Sequence, residues 1–209
     1  ANSGDATNGH GKFAPKLREE VYNLEDALVV GGLLNTLMRR SDRVKVGCLA
    51  QIVNVIAPLV TNENGILRQS TYYPYAMALK YGHGRVLDLQ IESETYPISA
   101  AGIRGSYARD GEVPFVDVVG TYDAKNRRVA LFALNRDLRD ERELSLRFND
   151  VTPTSVVAAE TVTGSDLKAF NTFEDPNKVV ATKLDGITAG GKMSIKLPPR
   201  SYSVIQLAV

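Results

Sequence analysis

The chain has 209 residues, with 25 Lys and Arg against 24 Asp and Glu, a formal net charge of +1. At 44% apolar and 23% charged residues it is ordinary globular material, which excludes disordered and fibrous classes and allows one large or two small domains. Neither half concentrates basic residues, so neither nucleic acid nor an anionic membrane surface is an expected partner.

The longest nearly apolar run, 27–38, is too short to cross a membrane, and no signal peptide is read. A single cysteine, Cys48, excludes an internal disulfide and a cysteine-based zinc site. The chain opens Ala1-Asn2-Ser3-Gly4-Asp5-Ala6-Thr7-Asn8-Gly9-His10-Gly11, small, polar and without an initiator Met. Residues 1–13 are therefore expected to be a mobile loop inside a longer polypeptide, the kind of place where proteases nick.

Residues 14–84 read as helix, strand, helix. Pro15 suits a first helical turn, and Glu19, Glu20, Glu25 and Asp26 load the N-terminal half with acid. Leu17, Val21, Leu24 and Leu28 recur at helical spacing. From 27 to 38 the pattern is apolar nearly all round, which predicts a helix buried on most sides, closed by Arg39, Arg40 and Arg43. Val44-Lys45-Val46-Gly47-Cys48-Leu49-Ala50 predicts a short strand, with Cys48 as a small buried hydrophobe. A second apolar run, 52–58, follows; Ser70 or Thr71 can then cap a helix that ends near Tyr81, halted by Gly82 and Gly84. One and a half α/β repeats do not close a domain. Either another chain supplies partner strands or this region is only partly folded.

Residues 85–209 read differently. Candidate strands at 86–91, 115–121, 128–134, 143–148, 155–162, 179–184, 193–197 and 202–207 are separated by turn residues such as Asp123, Asn126, Asn149, Asp150, Asp185 and Gly186. Short strands at regular spacing predict an antiparallel β-sandwich. The mixed-charge run 136–143 is expected to be a solvated hairpin.

Little in the residues alone announces chemistry. No glycine-rich phosphate loop fits, and His10 and His83 are too far apart in sequence to be a metal-binding pair; both read as solvent or cap residues. Glycosidic chemistry needs two carboxyls from different elements facing one cleft. Glu19-Glu20 and Glu25-Asp26 are neighbours on a helix and point about 100° apart, so they read as a solvated helix start.

The segment Tyr22-Asn23-Leu24-Glu25-Asp26-Ala27-Leu28-Val29-Val30-Gly31, with Val46-Gly47-Cys48-Leu49-Ala50-Gln51-Ile52-Val53-Asn54-Val55-Ile56-Ala57-Pro58, closely resembles glycoside hydrolase family 51, the α-L-arabinofuranosidases. Gln69-Ser70-Thr71-Tyr72-Tyr73-Pro74-Tyr75 resembles the family's approach to the last barrel helix. Asp166-Leu167-Lys168-Ala169-Phe170-Asn171-Thr172-Phe173-Glu174-Asp175-Pro176 and Leu197-Pro198-Pro199-Arg200-Ser201-Tyr202-Ser203-Val204 resemble its sandwich signatures. The resemblance runs from about residue 12 to the end, in order.

It implies that 14–84 is the last helix-strand-helix of a (β/α)8 TIM barrel and that 85–209 is a C-terminal antiparallel β-sandwich of jelly-roll type. It implies a retaining hydrolase that removes terminal α-L-arabinofuranosyl groups from arabinan or arabinoxylan fragments. Its two glutamates would sit in Asn-Glu and Asp-Glu-Trp-Asn motifs that this chain lacks: it has no Trp, and its only Asn-Glu pair, Asn62-Glu63, follows the wrong segment. No catalytic residue is therefore expected here. The partner would be an N-terminal barrel part of about 300 residues, and the ligand an arabinose-containing oligosaccharide. A homo-oligomer, a cytoplasmic location and no cofactor or metal complete the expectation.

One family contact carries over. The glutamine at the mouth of the last barrel strand, which hydrogen-bonds the arabinosyl ring, matches Gln69 in Leu67-Arg68-Gln69-Ser70. An amide can donate to and accept from sugar hydroxyls; the alternative is a helix-start residue bonding backbone. Ile66 and Leu67 are candidates for an apolar rim, and Arg68 for a structural or interfacial role. Tyr72, Tyr73 and Tyr75 read as packing between barrel and sandwich, Gln51 and Asn54 as buried hydrogen-bonding residues, and 171–176 as a sandwich loop. Two rival functions remain: a family member acting as an endoglucanase or xylanase, and a non-catalytic carbohydrate-binding sandwich module, which the lack of Trp and of an aromatic stripe disfavours.

Overall fold

A computed structural model describes residues 20–63, 65–101 and 109–209; the helix start expected at Pro15 and the expected loop with His10 lie outside them. The described chain is mostly strand, with two helices. In order it runs α1 (Leu24–Arg39), β1 (Leu59–Asn62), β2 (Gly65–Arg68), α2 (Tyr72–Tyr81), β3 (Arg85–Val86), β4 (Thr95–Ile98), β5 (Gly111–Pro114), β6 (Val116–Asp123), β7 (Arg128–Asn135), β8 (Arg142–Arg147), β9 (Ser155–Val162), β10 (Ala181–Lys183), β11 (Lys192–Leu197) and β12 (Ser201–Ala208).

Six strands form one antiparallel sheet in the order β10-β9-β12-β7-β6-β3. Its faces carry two cores. On one, Ala130, Phe132 and Leu134 of β7 join Tyr202 and Val204 of β12, Leu24 of α1, and Met77 and Tyr81 of α2. On the other, Val129, Leu131 and Ala133 of β7 join Ile205 and Leu207 of β12, and Met193, Ile195 and Leu197 of β11. Burial on both faces is why β7 is apolar at nearly every position instead of alternating. β11 pairs with β8, and there alternation is strict: Met193, Ile195 and Leu197 point in, while Lys192, Ser194 and Lys196 face solvent. Two further hairpins, β1–β2 and β4–β5, stand apart from the sheet.

α1 starts at Leu24 because Asn23 caps it. Asn23 Oδ1 accepts the Asp26 N–H at 3.2 Å and Asp26 Oδ2 accepts the Asn23 N–H at 2.9 Å, a reciprocal box. Upstream N–H groups go elsewhere: Glu20 to the Val55 carbonyl and Tyr22 to the Gln69 side chain. The helix is not buried on most sides. Leu24, Ala27, Gly31, Leu34 and Asn35 face the sheet, while Val29 and Leu33 are open to solvent. Asn35 is the polar node of the contact. Its Nδ2 donates to Asp117 at 3.2 Å and to the Phe132 carbonyl at 3.3 Å, and its Oδ1 accepts the Tyr202 hydroxyl at 3.2 Å. Asp117 also receives Arg39 at 2.5 Å. Burial pushes the Tyr202 phenol well above its ordinary value.

α2 is tied to β9 by Glu160, which accepts from Lys80 Nζ at 2.8 Å and from the Tyr81 hydroxyl. Burial pushes Glu160 up, but these two donors outweigh it and hold the carboxyl below its ordinary value.

Three further expectations need correction. The segment 44–50 is not a strand and Cys48 is exposed. A parallel strand must give every N–H and C=O to neighbours, and the described residues around this segment offer only one isolated parallel bridge, Val53 with Leu59. The strand expected at 86–91 shrinks to Arg85–Val86: Leu87 still donates to the Gly120 carbonyl, and the chain then leaves the sheet. The run 136–143 is no simple solvated hairpin. Asp137 is buried, accepts the Arg139 and Asp140 N–H groups at 2.9 and 3.0 Å, and pairs with Arg142 at 2.6 Å. Those backbone N–H groups first, and Arg142 with them, hold its carboxyl below the ordinary range.

Candidate functional site

Gln69 sits between β2 and α2, where four stretches of chain converge. Its backbone N–H donates to the Pro58 carbonyl at 2.8 Å. Its Nε2 donates to the Ala57 carbonyl at 2.8 Å and the Glu20 carbonyl at 3.2 Å, and its Oε1 accepts the Tyr22 N–H at 2.9 Å. The side chain is buried. Both amide protons are thus committed to backbone, and one lone pair on Oε1 remains. Around it, Ser70 Oγ donates to the Asn23 carbonyl at 2.6 Å, and the Tyr22 hydroxyl donates to the Ile56 carbonyl at 2.8 Å. Asn171, in the loop before β10, donates to the Arg68 carbonyl at 2.9 Å and exchanges two bonds with Val179.

The neighbours separate into packing and exposed groups. Leu67 is buried and Ile66 is exposed, because successive hairpin residues face opposite ways, so the two do not form one rim. The Arg68 guanidinium lies 5.5 Å from the Tyr72 ring, and Tyr73 stands edge-on to Tyr72 while packing against the helix-side core. Gln51 and Asn54, expected as buried hydrogen-bonding residues, are both exposed. Asn54 is occupied all the same: its amide bonds the Thr61 N–H and hydroxyl. Gln51, at φ 59°, makes no side-chain hydrogen bond among the described residues. Unlike Gln69 and Asn54, it has both donors and its acceptor unbonded among the described residues. Its sequence signal was position, directly after the expected strand.

His83 is exposed beyond α2, and no group of three His, Cys, Asp or Glu among the described residues is placed to hold a metal. Glu25 is exposed and paired with Lys168, and Asp26 serves the helix cap, as a helix-start reading requires. On the far side of the sheet a cavity of about 530 Å³ opens between 90–94 and β8. Its Arg142 is held by Asp137 and by Glu94 at 2.5 Å, and lies 4.2 Å from the Phe115 ring centre.

Residues 2–201 match the family model described as the alpha-L-arabinofuranosidase C-terminal domain. The chain belongs to the family 51 α-L-arabinofuranosidases. It is 37% identical over 197 residues to an intracellular exo-alpha-(1->5)-L-arabinofuranosidase of Streptomyces lividans, covering 93% of this chain and 28% of that protein. It is 34% identical over 204 residues to an exo-alpha-(1->6)-L-arabinofuranosidase of Bifidobacterium longum, covering 95% and 37%. Among solved structures, a family 51 enzyme from Bifidobacterium longum superposes with a TM-score of 0.81 at 33% identity, over 92% of this chain and 36% of that one. The arabinose complex of the Thermotoga maritima α-L-arabinofuranosidase gives 0.78 at 26% identity, over 91% and 39%. The chain therefore spans about a third of the length of these relatives.

Proposed function

We propose that this chain is the C-terminal part of a retaining exo-acting α-L-arabinofuranosidase whose two catalytic glutamates lie in an N-terminal part. The family match over 2–201 to proteins about three times as long carries the reading. In it, 14–84 closes a (β/α)8 barrel and 85–209 is the jelly-roll-type sandwich. The two carboxyls work by double displacement, one as nucleophile and one as acid and then base, which needs no cofactor. The substrate is a terminal arabinofuranosyl group on an arabinan-type or arabinoxylan-type oligosaccharide. The relatives named intracellular support a cytoplasmic site of action.

Residues of this chain hold the sugar rather than break its bond. Gln69 can meet a hydroxyl through its remaining Oε1 lone pair while it fixes the backbone around the β2–α2 junction. Gln51 has the whole amide to offer from the end of the segment that leads to the catalytic face. The test is hydrolysis of 4-nitrophenyl α-L-arabinofuranoside by the full-length enzyme, with the 209-residue chain assayed beside it. Activity confined to the full-length enzyme supports the reading, and an inactive full-length enzyme overturns it.

A further inference from the structure

We infer that Asn171, with the loop 166–171 that carries it, is a positioning residue for Gln69: the loop grips both stretches of chain that orient the Gln69 amide, so the strand-rich region sets the aim of a side chain that meets the sugar. The inference rests on the reading of Gln69 just given and adds to it the residues that hold that amide in place.

The grip has two arms, and every bond in it is made within this chain. The first arm meets the residue before Gln69. Asn171 is buried; its Nδ2 donates to the Arg68 carbonyl at 2.9 Å and to the Val179 carbonyl at 2.8 Å, while its Oδ1 accepts the Val179 N–H at 2.7 Å. Two donors and an acceptor are needed at one point, which an amide supplies and a carboxylate does not. The second arm meets the start of α1. The first N–H groups of a helix have no partner within it. Here Leu24 donates to the Ala169 carbonyl at 2.9 Å, Glu25 donates to the Leu167 carbonyl at 3.0 Å, and Asn23 forms an antiparallel bridge with Phe170. Leu167 and Ala169 pack against the helix-side core, which anchors the loop to the sheet.

Gln69 sits between the arms. Asn171 fixes the carbonyl of Arg68, the residue before it, and Ser70, the residue after it, donates its hydroxyl to the Asn23 carbonyl at 2.6 Å. The Tyr22 N–H, one residue before Asn23, reaches Gln69 Oε1 at 2.9 Å and takes one of its lone pairs. The direction of the other lone pair therefore depends on where 22–25 lie relative to 68–70, and the loop bonds both stretches. A loop that served packing alone has no need to meet the two together. The stakes are set by geometry: a misplacement of about 1 Å in a positioned group can cost about 100-fold in rate.

The test is made in the full-length enzyme. Asn171→Asp keeps the size of the side chain and an acceptor for the Val179 N–H but turns an oxygen on the Arg68 carbonyl. Its kcat/KM for 4-nitrophenyl α-L-arabinofuranoside should fall about 10-fold at a temperature where the variant is folded. Because Asn171 acts through Gln69, the same substitution made on Gln69→Ala should change kcat/KM by less than about 2-fold. The Tyr22 amide, loosened from Gln69, should exchange its hydrogen about 10-fold faster relative to the amides of β7. If Asn171→Asp does not fold, Ser70→Ala, which cuts the second arm, is measured in its place. With Gln69→Ala impaired, wild-type kcat/KM in Asn171→Asp, or losses that multiply in the double variant, overturn the inference. If Gln69→Ala keeps wild-type kcat/KM, or the enzyme is inactive on arabinofuranosides, the sugar role of Gln69 falls and the Tyr22 amide decides: faster exchange upholds the positioning of Gln69 by the loop, and an unchanged rate overturns it.

Discussion

Gly31→Ala should destabilise the protein although it replaces a mid-helix glycine. By intrinsic propensity alone the change favours folding by about 1 kcal/mol. The geometry opposes it: a Cβ at Gly31 would stand 2.5, 2.8 and 2.8 Å from three atoms of the Tyr202 ring, where carbon pairs normally rest at about 3.5–4.0 Å. The ring has little room to yield. Tyr202 is fully buried and its hydroxyl is tied to Asn35. Relief therefore requires α1 to lift by about 1 Å, which disturbs Leu24, Ala27 and Leu34 together. Overpacking of this kind costs about 1–3 kcal/mol. With three ring atoms involved, the upper half of that range applies, which leaves about 1–2 kcal/mol net. That corresponds to a fall of about 2–8 °C in Tm for a chain of this size. Gly32→Ala is the internal control. Its nearest neighbour is the end of Leu134 at 3.2 Å, which can swing aside, so the propensity gain should show as an unchanged or higher Tm. Thermal unfolding followed by far-ultraviolet circular dichroism measures both, and a Gly31→Ala/Tyr202→Leu double variant should recover most of the loss. If Gly31→Ala raises Tm as Gly32→Ala does, the close approach of α1 to β12 is not what holds this face together.

Other consequences can be checked in the same way. Asp137→Asn should cost about 1–3 kcal/mol at neutral pH by removing the pair with Arg142. The Asp137 carboxyl is held below its ordinary value of 3.8 in the folded state, so its contribution is full above that pH and fades as pH falls through and below it. The wild-type advantage should narrow in acid, and an advantage independent of pH down to 2 would refute the assignment. Asn171→Ala removes three hydrogen bonds from a buried side chain and should cost about 2–4 kcal/mol while opening the 166–180 loop to proteases; unchanged proteolysis would show that the loop is held elsewhere. Gln69→Ala leaves the Tyr22 N–H and the Glu20 and Ala57 carbonyls without their partner, so the full-length enzyme should lose about 1–3 kcal/mol of stability along with kcat/KM. Gln51→Ala should lower kcat/KM with Tm unchanged. Wild-type kinetics in both variants would remove this end of the chain from the sugar site.

What could be read from the sequence was whatever finds a pairing partner among the described residues. β9 spans the predicted 155–162, and β6, β7, β8, β11 and β12 differ from expectation by one or two residues at their ends. Each carries its own periodicity and finds its partner within the same sheet or hairpin. The 44–50 run has equally strong strand chemistry, but no described residue pairs with it and it is not a strand. Apolar composition says where a side chain would be buried, not whether anything is there to bury it. The β1–β2 hairpin, whose strands meet at Asn62 and Gly65, falls where the sequence reading expected only a loop, and Pro97 disguised β4. Polar roles were the hardest to read because they depend on contacts distant in sequence. Asp137 looks like one charge among many until Arg142 folds back on it. Gln69 and Gln51 are the same side chain at similar positions in apolar stretches, and only the Tyr22 N–H and the Ala57 and Glu20 carbonyls distinguish them. Those contacts commit both donors and one lone pair of Gln69, while Gln51 makes no side-chain hydrogen bond among the described residues. Motif position alone does not separate the two glutamines; the contacts each makes within the fold do.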